Sequence, residues 1–177
     1  MRMTLIPACL LALLPATAQA ADPACLTPSE FSSLAAYALP SAITGTAKRC
    51  SQTLGPNSYL GKSGASLAGR YAARRASSWP GAKAAFLKLS AGRDETANQL
   101  FRSMPDESLK QMLDPLLEGM VVQKIPVEKC GTIDTFVRLL SPLPPENTAE
   151  LIAVTVGLAT KAKDGKTSVG KIDVCEA

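Results

Sequence analysis

The chain has 177 residues, 46% of them hydrophobic, with 19 Lys and Arg against 15 Asp and Glu for a net charge of +4. That length suits one domain with a core of its own. No histidine occurs, which removes Ser-His and Cys-His nucleophilic catalysis, histidine acid–base chemistry and most catalytic metal sites.

Residues 1–20 read as a cleavable export signal. Arg2 supplies the positive start, Leu5 to Leu14 the apolar stretch, Pro15 a break, and Ala18 and Ala20 the small residues of a cleavage site after Ala20. A spanning helix needs about 20 apolar residues, roughly twice this run. Neither Cys9, inside the apolar stretch, nor Cys25, after Asp22-Pro23-Ala24, suits a lipid-attachment motif. The expectation is a soluble periplasmic or secreted protein of residues 21–177, with no transmembrane anchor. Cleavage removes Cys9 and leaves Cys25, Cys50, Cys130 and Cys175, an even set that predicts two disulfides in an oxidising compartment. Zinc is a poor alternative because no CxxC spacing exists, and neither a metal nor a cofactor is expected.

Helical period dominates the remaining chain. Thr27-Pro28-Ser29-Glu30 is a capping box, and Phe31, Leu34, Ala35 and Ala38 follow as an apolar stripe. This helix is predicted to stop before Pro40, with a second from about Ser41 to Thr53. Three pairings are possible, and an antiparallel hairpin of that kind favours Cys25 with Cys50 and Cys130 with Cys175. After the Gly55-Pro56-Asn57 turn comes a third helix, about Ser58 to Ser78. Its Gly61, Gly64, Ala65, Ala68, Gly69, Ala72, Ala73 and Ala76 form a small-residue face suited to close packing at the centre of a bundle. Trp79-Pro80 is expected to open a fourth helix with Trp79, Ala82, Phe86 and Leu89 inward, and a short fifth covers about Asp94 to Arg102.

Pro105 starts a helix whose Leu109, Met112, Leu113, Leu116, Leu117, Met120 and Val121 keep to one face, with a kink or restart at Asp114 before Pro115. Pro126 opens another with Ile133, Phe136, Val137 and Leu140. The rigid Pro142–Pro145 link leads to a last helix, about Glu146 to Lys161, apolar on more than one face and so expected to be buried. Lys163–Lys166 ends it, and a tail runs to Cys175. The fold class is all-α: one bundle of about seven to eight helices clamped by two disulfides.

Charge is unevenly distributed. Phe31 to Arg93 contains no acid but nine bases: Lys48, Arg49, Lys62, Arg70, Arg74, Arg75, Lys83, Lys88 and Arg93. From Met104 onward, eleven acids face eight bases. Lys62, Ser66, Arg70 and Arg74 recur every four residues, opposite the small-residue face. Such a row is either an anion-binding face or a solvated surface that pairs with the acidic second half. The candidate binding residues are Lys62, Arg70, Arg74, Arg75 and Lys83, with Tyr59, Tyr71 and Trp79 flanking them.

Other motifs are weaker. Gly61-Lys62-Ser63 lacks the glycine spacing of a phosphate loop. Asp114 with Glu118, and Glu146 with Glu150, are carboxylate pairs that ordinary helix electrostatics explain. Nucleic acid is an unlikely partner, since no nucleic-acid module is present and aromatic residues are few. The residues therefore point to an exported, non-catalytic binding or accessory protein whose basic helical face meets an anionic envelope component or an acidic protein. A histidine-free hydrolase using Asp/Glu chemistry is the alternative, and a purely structural or self-associating protein is the second.

Overall fold

The computed structural model describes residues 25–161, 168–169 and 172–175; the expected export signal and the Lys163–Lys166 stretch lie outside them. The described residues form a helical bundle: α1 (Pro28–Cys50), α2 (Tyr59–Ala72), α3 (Arg75–Ala91), α4 (Glu95–Ser103), α5 (Asp106–Lys124), α6 (Cys130–Leu140) and α7 (Pro145–Lys161). A 3-10 turn, Val127–Lys129, precedes α6, and two two-residue strands, β1 (Ser168–Val169) and β2 (Ile172–Asp173), pair antiparallel near the end.

The capping box opens α1 as the sequence implied. Thr27 Oγ1 accepts from Glu30 N at 3.2 Å, and Glu30 Oε2 accepts from Thr27 N at 2.7 Å. The helix does not stop before Pro40, however. It continues for 23 residues to Cys50, with Pro40 buried inside it. A proline there removes the N–H that would reach the Ala36 carbonyl. Burial offsets that loss, and the Arg75 guanidinium takes the adjacent carbonyl, Tyr37 O, at 2.8 Å.

One continuous helix overturns the predicted disulfide pairing. Its 23 residues span roughly 34 Å, so Cys25 and Cys50 stand at opposite ends, far beyond the Cα separation of about 7 Å that a disulfide tolerates. The bonds are instead Cys25–Cys175 and Cys50–Cys130, with Cα–Cα separations of 5.1 and 5.5 Å. The first ties the start of the bundle to the tail, where Leu26 and Val174 form a parallel bridge and Cys175 N donates to Leu26 O at 2.8 Å. The second staples the end of α1 to the start of α6.

Helix α1, rather than the small-residue helix, is the centre of the bundle, and α2, α3, α5 and α7 all pack on it. Tyr37, Trp79, Ala82, Leu109 and Leu113 make the core at α1, α3 and α5. Ile43, Leu60, Leu67, Ala68 and Tyr71 make the core at α1 and α2. Leu26, Phe31 and Ala85 form a third cluster, against which Ile152 of α7 and Val174 of the tail pack. The close crossing of α1 and α5 depends on Gly45. A Cβ there would lie 2.8 Å from Glu118 O and 3.1 Å from Val121 Cβ, so any side chain would push α5 off α1.

Other expected boundaries also moved. The predicted Ser58–Ser78 helix divides at Ala73–Arg74 into α2 and α3, and Pro80 lies inside α3 rather than opening a helix. That division turns Arg75 toward α5 while Arg74 stays in solvent. Helix α5 runs through Pro115 without a break. The small-residue face is only half used: Gly64 and Ala68 are buried, whereas Ala65, Gly69, Ala72, Ala73 and Ala76 are exposed. Helix α7 is not buried all round either, since Leu151 and Val154 are 43% and 52% exposed; α1 covers one of its faces and leaves those positions open.

Candidate functional site

The residues of α2 sort into two faces. Leu60, Gly64, Leu67, Ala68 and Tyr71 are buried, so the helical period turns Lys62, Ser66 and Arg70 outward, and all three are exposed. The start of α2 is firmly held. Ser58 Oγ accepts from Gly61 N at 3.1 Å, and Asp134, reaching over from α6, accepts from Tyr59 N at 3.2 Å and Leu60 N at 2.7 Å. Three backbone donors that a helix start leaves open are thus satisfied. Gly61-Lys62-Ser63 therefore sits in a capped first turn that follows α1 and a turn, and the Gly61 N–H is already committed.

The bases of the acid-free stretch fall into two groups. Arg75 is a half-buried hub: Nη1 and Nη2 each reach Asp114 at 2.7 Å, Nη2 also reaches Ser41 Oγ at 3.3 Å, and Nε reaches Tyr37 O. Its guanidinium lies 4.1 Å from the Tyr37 ring centroid, and Tyr37 OH donates to Asp114 Oδ1 at 3.0 Å. Burial of the Tyr37 phenol raises its pKa, with the Asp114 charge adding to the rise against the lowering effect of Arg75. Lys83 meets Asp106 Oδ1 at 2.5 Å, and the same carboxylate accepts from Trp79 Nε1 at 2.7 Å. These two donors hold the Asp106 carboxyl below its ordinary range. Lys88 pairs with Glu30 at 3.2 Å, and Lys48 with Glu118 at 3.4 Å. Arg49 Nε donates to Ile125 O at 3.0 Å.

Lys62, Arg70 and Arg74 remain outward, as does Arg93 beyond the end of α3. All are exposed, and none makes an ion pair among the described residues. Arg70 Nη2 donates to Ser141 O at 3.2 Å, where the C-terminal end of α6 favours a positive charge. Two of the five candidate binding residues thus belong elsewhere: Arg75 holds the α1–α3–α5 junction, and Lys83 is engaged by Asp106. The three flanking aromatic residues line no outer face. Trp79 and Tyr71 are buried, Tyr71 OH contacts Leu143 O and Thr148 Oγ1, and Tyr59 packs against the α1–α2 core.

Asp114 and Glu118 line an open groove of about 460 Å³ floored by Pro40, Ser41 and Thr44 and walled opposite by Ala68, Gly69 and Ala72. Both carboxylates come from the same wall, and each holds a cation. Glu146 and Glu150 are exposed on α7. Among the described residues no group of three or more His, Cys, Asp or Glu is placed to hold a metal ion, and no helix is long and apolar enough to cross a membrane. Asp134 was not legible in the sequence, because only the α2–α6 contact gives its carboxylate a task.

Compared with known protein families, curated proteins and solved structures, the chain matches none.

Proposed function

We propose that this is an exported, non-catalytic binding or accessory protein that presents Lys62, Arg70 and Arg74 of the α2 side to an anionic envelope component or an acidic protein. The observation that carries the reading is a contrast within one acid-free stretch. Arg75, Lys83, Lys88 and Lys48 each find a carboxylate, whereas Lys62, Arg70 and Arg74 on the α2 side, and Arg93 apart from them after α3, stay exposed without one among the described residues. Like charges gathered without an acid among them are locally unfavourable. The same charges on the α2 side attract an external anion over about a Debye length, roughly 8 Å at physiological salt. Residues 1–20 carry the export reading, and two disulfides suit an oxidising compartment.

The hydrolase alternative draws less support. Glycoside hydrolysis needs two carboxylates about 5 to 9.5 Å apart across the scissile bond, and Asp114 and Glu118 share one wall of their groove. The discriminating experiment is pull-down from envelope extract with the wild type and with Lys62→Glu/Arg70→Glu/Arg74→Glu. Capture of an anionic component by the wild type alone supports the proposal. Equal capture by both, or self-association as the sole product, refutes it.

A further inference from the structure

We infer that the apolar groove along α1, between α5 and the α6–α7 side, binds a fatty acid, with the acyl chain on Ala42 and the carboxylate at Lys124. This site lies apart from the α2 cations and uses none of them.

Two clefts meet at Ala42. One, of about 180 Å³, is lined by Ala38, Ala42, Leu117, Met120, Val121 and Lys124. The other, of about 190 Å³, continues past Ala42 between Leu39, Ile43, Val137, Leu140 and Ile152. Alanine at 38 and 42 keeps the floor low where larger residues would fill it. The α5 side of this groove is apolar without being covered: Met120, which lines it, is 51% exposed. A concave apolar lining with few polar groups is the usual form of a ligand site, and a methionine at the edge adapts readily to a guest chain.

The polar groups restrict the occupant. Thr46 Oγ1 is bound to Ala42 O at 2.6 Å, Thr148 Oγ1 to Pro144 O at 3.1 Å, and Tyr71 OH to Leu143 O at 3.1 Å. The hydroxyls of the lining are therefore engaged internally, and a guest inside the groove gains by apolar burial alone. Lys124 is the exception: it is exposed at the mouth and has no ion pair among the described residues. One ammonium beside an apolar groove complements a single chain ending in a single negative charge, which is the chemistry of a fatty carboxylate.

The test is titration of the purified protein with laurate, read by displacement of an environment-sensitive dye and by native mass spectrometry. Saturable binding of one laurate is expected, with dodecanol weaker. Ala42→Leu raises the floor and is expected to weaken laurate on the order of tenfold or more without lowering the thermal midpoint. Lys124→Gln, a surface change that leaves the fold intact, is expected to weaken laurate about fivefold and to leave dodecanol unchanged. Lys62→Glu/Arg70→Glu/Arg74→Glu keeps laurate binding, so the two proposals fail separately. Non-saturable uptake, laurate affinity unchanged in both groove variants, or dimerisation through this face in sedimentation would each overturn the inference.

Discussion

Removing the Asp114 carboxylate tests the hub on which α1, α3 and α5 converge. Asp114→Ala deletes both 2.7 Å bonds to Arg75 and the acceptor of Tyr37 OH. The Arg75 side chain is only 17% exposed, so its charge stays largely buried with Tyr37 O and Ser41 Oγ as its remaining partners. Breaking a fully buried pair costs about 3 to 5 kcal/mol. Asp114 is 40% exposed, so water replaces part of what is lost, and the expected cost is about 2 kcal/mol. Adding Arg75→Met removes the stranded charge, so the double variant is expected to be more stable than Asp114→Ala alone. Arg74→Met, one residue away in solvent, should stay within about 0.5 kcal/mol of wild type. Urea unfolding followed by far-UV circular dichroism at neutral pH, disulfides intact, measures all of them. An Asp114→Ala loss below about 0.5 kcal/mol, or a double variant less stable than the single, would refute the reasoning.

Gly45→Ala drives a Cβ to within 2.8 Å of Glu118 O and should destabilise by about 1 to 3 kcal/mol. Gly69→Ala meets nothing within 4 Å and should instead stabilise α2 by about 0.5 to 1 kcal/mol; thermal melts of the pair check the contrast. Non-reducing peptide mapping should recover Cys25 linked to Cys175 and Cys50 linked to Cys130, and a Cys25–Cys50 peptide would contradict a continuous α1. The Thr27 backbone N–H, with Lys88 adding to it, holds the Glu30 carboxyl below its ordinary 4.5. A folded value below the unfolded one gives stability that is present above 4.5 and lost as pH falls through the folded value. Glu30→Gln should therefore flatten the acid limb of stability against pH, and an unchanged limb would contradict this.

Local chemistry was readable in the sequence and long-range partnership was not. The capping box at Thr27–Glu30 and the helix from Pro105 follow from neighbouring residues, as does the all-helical class. Pro40 shows where that reading stops: the proline predicted a boundary, but its burial and the Arg75 guanidinium, 35 positions later, keep α1 whole. The disulfide pairing then failed with the hairpin that had suggested it. The basic stretch divided for the same reason. Nothing near Arg75 in sequence marks it as inward, because its acid lies on α5, whereas Arg74 looks identical and stays in solvent. The half-open small-residue face depended likewise on which helices arrive beside α2.

Co-sedimentation with anionic vesicles at low and at physiological salt tests the central claim most directly. Wild-type protein should bind and release as salt rises, while Lys62→Glu/Arg70→Glu/Arg74→Glu should stay in solution at both and keep the wild-type far-UV spectrum. Equal binding by the two proteins, or wild-type binding indifferent to salt, would contradict an anion-binding role for α2.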